Sequence, residues 1–505
     1  MDDHGDGNND KMAPVSIMIQ RLGGIAGCAL ALCGCAVGPD YQPPVVEVPT
    51  VWHADRDLGK TARIRNDAQW WSHFNDPTLT RLLDQAASGN LDLKMATARV
   101  VQARAGMAQA RAAGLPGGDF RASATREANQ MAMPGGNSTP LASLSQIPFD
   151  IFQTGFDASW ELDLFGSHRR AEEGATAQWE GALAARADVW VSLLAEIART
   201  YVAIRRDQRQ RHLLAETIAV HQKMVILARQ RFQAGQVAHM DVVQAEARGA
   251  QVQSTLPNLN ARLRQNEYSM DVLLGERPGV THELLANPAP IPTLERDLVW
   301  ATPVEVIARR ADIRVAERKL AAATAQQGIA TARFFPNLSL SGFFGFLGTD
   351  AADLMASGQR SWRADAGIRV PVFNLGFLAA QWEVANARQQ EALASYQKSI
   401  FAALADVERA LTAYNQQEVV LRSALHEVEK DQQVRDIARE RFQQGTTSQL
   451  EVLEAERTLL ASRDRLANAR ADCTLDLIAV YKSLGGGWER PVGPDLAKGQ
   501  NHFDQ

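Results

Sequence analysis

The sequence is written twice, and that duplication limits what it can fold into more than any other feature. Ala228-Arg-Gln-Arg-Phe-Gln-Ala-Gly235 recurs as Ala438-Arg-Glu-Arg-Phe-Gln-Gln-Gly445. Met240-Asp-Val-Val-Gln-Ala-Glu246 recurs as Leu450-Glu-Val-Leu-Glu-Ala-Glu456. Upstream, Asp92-Leu93, Ala96 and Pro116 correspond to Asp312-Ile313, Ala316 and Pro336. A repeat of roughly 210 residues is a duplication and not a solenoid, whose units run about 20–50 residues.

Each copy has a helical part and a strand part. Phe156, Ala158, Trp160, Leu162 and Leu164 alternate with Asp157, Ser159, Glu161 and Asp163, the pattern of a strand with one apolar and one polar face. Phe120, Ala122 and Ala124 alternate with Arg121, Ser123 and Thr125, and a loop at about 131–153 makes the two a hairpin. Leu338, Leu340, Phe344 and Phe346 give a third strand. Trp362 to Val372, with Arg363, Asp365 and Arg369 on its polar face, gives a fourth. From Ser167 to about Phe232 there is no proline, so a helix on the order of 100 Å long is expected. A second runs from about Met240 to Leu274, with a kink or a short break expected at Pro257.

The spacing divides the chain as follows: 35–75 an N-terminal tether and equatorial segment, 76–278 the first repeat, 279–303 a Pro-rich connector, 304–485 the second repeat and 486–505 a tail. Strands are expected at about 118–130, 154–165, 336–347 and 362–373. Long helices are expected at about 167–232, 239–275, 377–442 and 449–484. The Pro-rich stretch after Cys35, Ala36 to Pro44, reads as a tether and not as a packed element.

Four strands cannot close a barrel, since membrane barrels need about eight or more. An open edge in lipid leaves backbone groups unpaired at several kcal/mol each. If these strands lie in a membrane, several chains must share one barrel, and three copies would leave room for a channel. No apolar run of about 18 residues follows the N-terminus, so no membrane-spanning helix is expected.

Residues 1–34 read as an export signal. Leu32-Cys33-Gly34-Cys35 resembles a bacterial lipoprotein cleavage box, which makes Cys35 the expected lipidation site, with Ile25-Ala26-Gly27-Cys28 as a rival. The net charge of −5 gives no sign of nucleic acid binding. There is no phosphate-binding loop, metal-type histidine pair or Gly-x-Ser-x-Gly elbow, so no enzyme, cofactor or metal is expected.

Four motifs stand out along the chain: Cys35-Ala-Val-Gly-Pro-Asp-Tyr41, Trp70-Trp71 with Phe74 and Asp76-Pro77, Trp160-Glu-Leu-Asp-Leu-Phe-Gly166 and Pro371-Val-Phe-Asn-Leu-Gly376. Together they resemble the TolC-like outer membrane efflux protein family in its lipoprotein (NodT-type) branch. Arg310-Ala311-Asp312 departs from the family's usual Arg-Pro-Asp. The resemblance implies a mainly α chain with a small transmembrane β part, built from a duplicated helix–strand–strand–helix–helix repeat. Its homotrimer forms a 12-stranded β-barrel in the outer membrane, continued by a long α-helical periplasmic tunnel. The partners implied are a periplasmic adaptor and an inner-membrane resistance–nodulation–division (RND) pump. The function implied is the exit duct of a tripartite efflux pump for small molecules. A protein-secretion duct of the same fold, or a periplasmic coiled-coil scaffold, are the rival readings.

Three groups of residues are candidates within this picture. Asp157, Glu161, Asp163, Arg363, Asp365 and Arg369 would face the barrel lumen. Arg231, Phe232 and Gly235, with Arg441, Phe442 and Gly445, form near-identical tips expected to dock the adaptor. Leu450, Glu454 and Arg457 share one helix face just after the second tip. By the resemblance that face lines the periplasmic aperture, where an acid and a base from neighbouring helices hold the pore closed. Met240, Gln244 and Ala247 stand at these positions in the first repeat.

Overall fold

The computed structural model describes residues 36–56, 69–129, 147–294, 301–352 and 360–486. After a one-turn helix at His53–Arg56 and a 3₁₀ helix at Trp70–Phe74 come the helices α1 (Pro77–Gly89) and α2 (Leu91–Ala112). The strands β1 (Gly117–Asn129) and β2 (Ile147–Leu162) follow, then α3 (Ser167–Gln233), α4 (His239–Gln253) and α5 (Thr255–Leu274). The second copy runs α6 (Pro303–Arg309), α7 (Ala311–Ala332), β3 (Asn337–Gly348), β4 (Arg360–Arg369), α8 (Leu375–Gln443) and α9 (Gln449–Ser483). The chain divides into two compact units. One comprises Met1–Pro44, Val101–Glu180 and Glu317–Ala394; the other Val45–Val100, Gly181–Ala316 and Ser395–Gln505.

The first unit holds a four-stranded antiparallel sheet in the order β1-β2-β3-β4. The two hairpins have one register. Phe120 pairs with Phe156 in the first, and the equivalent Leu340 pairs with Ala366 in the second. β2 begins at Ile147 and not near 154, because β1 continues to Asn129 and supplies it with partners. It ends at Leu162, short of the expected 165, and β4 ends at Arg369, before Pro371. Proline has no N–H for the ladder.

The second unit carries the main apolar core. Trp70 and Trp71, in a short 3₁₀ helix (Trp70–Phe74), are each 2% exposed. Trp70 stacks on Tyr481 with ring centroids 5.0 Å apart. Asp76 caps α1, accepting from the Thr78 and Leu79 N–H groups at 2.9 and 3.0 Å, with Pro77 at the first helical position. The Tyr201 hydroxyl donates to the same carboxylate at 2.7 Å. Leu79, Leu82, Leu83, Leu194, Ile197 and Leu477 fill the space between these helices.

The expected long helix 239–275 is two helices. Ser254 separates α4 from α5 three residues before Pro257, whose ring would clash with the carbonyl of Gln253, the last residue of α4. α5 ends at Gly275 with φ 73°, and the Glu276 N–H returns to the Asp271 carbonyl at 2.8 Å. The fully buried Asp271 carboxylate then accepts from Gly279 and Thr281 N–H, each at 2.7 Å, and fixes the turn that follows.

Candidate functional site

The sheet separates two chemistries. Phe120, Phe156, Phe344, Trp362 and Ile368 share one face and are each at least 62% exposed. An apolar face of that size left open on a folded sheet marks a surface that meets lipid or another protein. The opposite face carries Asp157 and Glu161 on β2 and Arg363, Asp365 and Arg369 on β4. Arg121 lies 3.8 Å from Asp157, and Arg363 lies 2.9 Å from Asp365. Glu161 bonds Asn337.

Asp163 does not belong to this polar face. β2 has ended by then, and its carboxylate accepts from the Arg169 N–H at 2.8 Å, tying the junction to the first turn of α3. Phe343, absent from the expected apolar face, stands on the polar one between Asp157 and Arg363. It is 7% exposed, because its ring covers Gly155 and Gly345, which pair where two side chains would collide.

The two tips are one motif built twice. Gly235 (φ 69°) and Gly445 (φ 73°) are left-handed. Gly235 N–H bonds Phe232 O at 2.9 Å and Gln236 N–H bonds Arg231 O at 2.9 Å. The second tip has Gly445 to Phe442 at 3.0 Å and Thr446 to Arg441 at 2.8 Å. This is the Schellman closure, so the Arg-Phe-x-x-Gly spacing is set by the helix end. An ion pair ties the helices flanking each turn, Arg229–Glu246 at 2.6 Å in one and Arg439–Glu456 in the other. Phe232 and Phe442 are 42% and 44% exposed.

Leu450, Glu454 and Arg457 lie along α9 outside its packing seam. Leu453 and Leu460 turn inward onto Leu213, Val220 and Met224 of α3. Leu450 is 38% exposed. Arg457 Nε donates to Glu454 Oε2 at 2.8 Å, one turn apart on the same helix. Within a single chain the acid and the base therefore belong to one helix, so the three residues present a rim of one leucine and one ion pair.

The segment from Ala36 to Tyr41 is packed, contrary to a tether. Val37 N–H bonds Phe165 O at 3.1 Å. The Arg170 side chain, 3% exposed, donates to Val37 O and Gly38 O at 3.3 Å and to Asp40 Oδ1 at 2.6 Å. Gly38, at φ 92°, lies so close to Gly328 that a Cβ would sit 2.7 Å from its Cα. The Tyr41 hydroxyl donates to Glu317 at 2.8 Å. Cys35 lies outside the described residues.

Among the described residues no helix is long and apolar enough to cross a membrane. No cluster of three His, Cys, Asp or Glu side chains there could hold a metal ion.

The family described as "Outer membrane efflux protein" matches residues 82–276 and 302–486, most of both repeats. The "Solvent efflux pump outer membrane protein SrpC" of Pseudomonas putida is 31% identical over 463 residues, 91% of this chain and 97% of the relative. "Nodulation protein T" of Rhizobium leguminosarum bv. trifolii is 29% identical over 460 residues, 91% and 96% of the two chains. The solved outer-membrane channel OprN superposes with a TM-score of 0.81 at 34% identity, covering 90% of this chain and all of that one. An exposed apolar sheet face with open edges, carried by a duplicated helical chain, is what such a channel requires of one protomer. The chain belongs to the outer membrane efflux protein family and is a TolC-like outer membrane efflux channel, trimeric, with a helical periplasmic part.

Proposed function

We propose that this channel is the exit duct of a tripartite pump, receiving small toxic molecules from an inner-membrane RND pump through a periplasmic adaptor. The observation that carries this is the sheet, whose apolar face is exposed while both edges stay open. A soluble scaffold would have buried that face. Relatives named for solvent efflux, toluene efflux and pyoverdine export favour small cargo over secreted protein.

In this reading the six tips of a trimer dock the adaptor, with Phe232 and Phe442 as apolar anchors beside Arg231 and Arg441. Leu450, Glu454 and Arg457 of α9 form the closing ring at the periplasmic aperture, and the lipid sits on Cys35. The polar strand face of Asp157, Glu161, Arg363, Asp365 and Arg369 lines the exit. The chain supplies no energy; it supplies a passage and a means of shutting it.

The test is accumulation of a fluorescent efflux substrate in cells deleted for this gene. Restoration by the wild-type chain, and not by a variant with Gly235 and Gly445 both changed to Val, is expected. The double variant should keep its trimers but lose crosslinking to the adaptor. Full efflux with unchanged adaptor crosslinking in that variant would remove the docking role from the tips.

A further inference from the structure

Where the strands give way to the helices, the first unit encloses a cavity of about 490 Å³. Three junctions bound it: β2 into α3, α7 into β3 and β4 into α8. Its size falls within the range of about 300–1,000 Å³ that holds small organic molecules. Much of the lining is apolar, with Leu162, Leu164, Phe335, Val370 and Leu378 on its walls. Such a lining offers water few partners.

The walls are fixed by contacts around the cavity. Phe165 stacks on Phe335 with ring centroids 4.8 Å apart. The Phe165 carbonyl accepts from the Val37 N–H at 3.1 Å, and the Asn374 carbonyl from the Leu378 N–H at 3.1 Å. Pro336 and Pro371 stand at two of the junctions, where neither has an N–H to satisfy.

Four charged side chains line the same cavity: Glu161, Asp163, Arg333 and Arg369. The two acids are already engaged. Asp163 accepts from the Arg169 N–H at 2.8 Å and lies 3.5 Å from its Nε. Glu161 accepts from the Asn337 amide and lies 4.0 Å from His168 Nε2. The two bases are not. Arg333 donates to the neutral Gln381 at 2.8 Å. Arg369 stands opposite Asn337 in the sheet. Among the described residues neither guanidinium has a carboxylate within ion-pair reach. The cavity therefore combines an aromatic and aliphatic interior with two cations that have no anion.

We propose that this cavity binds an amphipathic organic anion, its apolar body against Phe335 and Leu378 and its carboxylate or phosphate head on Arg333 and Arg369. A guanidinium holds such a head through paired N–H donors, which a chloride ion or a neutral molecule cannot match. An organic cation would meet two arginines and would have to displace Asn337 and Arg169 from the acids. The strands belong to the membrane part of this channel and the helices to its periplasmic part, so the cavity stands at the border between them. Two sources of the anion reach that level, a phospholipid of the inner leaflet and a small molecule in transit. Binding needs only the folded channel and stands apart from the exit-duct proposal.

The test uses purified full-length trimer in dodecyl maltoside, read by native mass spectrometry. Titration with decanoate should saturate at one molecule per chain, and decyltrimethylammonium should bind at least tenfold more weakly. Arg333→Gln with Arg369→Gln should weaken decanoate at least tenfold, while Arg333→Lys with Arg369→Lys should retain most of the binding. Both arginines are exposed, and Gln381 is the one side-chain partner lost, so these variants keep their trimers. Glu161→Gln, which removes a nearby negative charge, should bind decanoate at least as tightly as wild type. Phospholipid that co-purifies at one per chain, and is lost in the glutamine variant, identifies a lipid as the natural occupant. A site that is empty on purification and takes decanoate identifies a soluble anion. Uptake that never saturates, equal binding of the two surfactants, or decanoate binding unchanged in the glutamine variant overturns the site. None of these results alters efflux through the duct, whose failure would show instead in substrate accumulation.

Discussion

At the scale of single residues, the chain spends its buried charge on holding segments together. Arg170 is the clearest case, since three acceptors of the Ala36–Tyr41 strap converge on one guanidinium. Arg170→Ala should free the strap without unfolding the unit beneath it. Limited proteolysis then cuts within residues 36–44 several times faster than in wild type; equal rates would mean that the Gly38 and Tyr41 contacts suffice. His221 on α3 is buried instead without a charge. Burial lowers its pKa from the usual 6.5, Arg457 and Arg248 lower it further, and Glu454 opposes them. The unfolded chain therefore takes up the proton first. Stability is full above about pH 6.5 and falls as the pH drops toward the lowered folded value. His221→Gln should flatten this acid limb in melting curves of the detergent-solubilised trimer, and parallel curves for variant and wild type would contradict the assignment.

At the scale of elements, the tips give a direct energetic expectation. A β-carbon at the left-handed Gly235 or Gly445 costs about 1–2 kcal/mol, so Gly235→Ala and Gly445→Ala should each lower the melting temperature while leaving the strands paired. Asp271→Ala removes a buried acceptor from two backbone N–H groups and should destabilise by about 2–4 kcal/mol, measured by urea denaturation. These elements were differently legible in the sequence. Repeats, strand alternation and the break before Pro257 show because local pattern determines them. The start of β2 did not show, since Ile147 to Gln153 is in a strand only because β1 continues opposite. The strap read as a tether because its clasp, Arg170, lies more than a hundred residues away. Asp163 read as part of the alternation because sequence parity does not reveal where pairing stops. Phe343 was hidden because its place is set by two glycines on different strands.

At the scale of the whole molecule, one chain is an unfinished object. Its sheet has two open edges and an exposed apolar face, which in lipid is tolerable only when further copies close the ring. Three copies of four strands give twelve, wide enough for a passage. A passage of that width must be shut when no pump is attached, and the proposed function assigns that closure to the rim of Leu450, Glu454 and Arg457. The pair is half-exposed in one chain, worth about 0–1 kcal/mol as a surface contact. In the proposed closure, three such pairs gathered around an axis would form a barrier to ions. The direct measurement is single-channel conductance of the purified trimer in planar bilayers. The wild-type channel should be nearly closed, Glu454→Ala and Arg457→Ala should each raise conductance several-fold, and the double variant should exceed either only slightly. Unchanged conductance in both single variants would show that the channel is closed elsewhere and that Glu454 and Arg457 are an ordinary helix-surface pair.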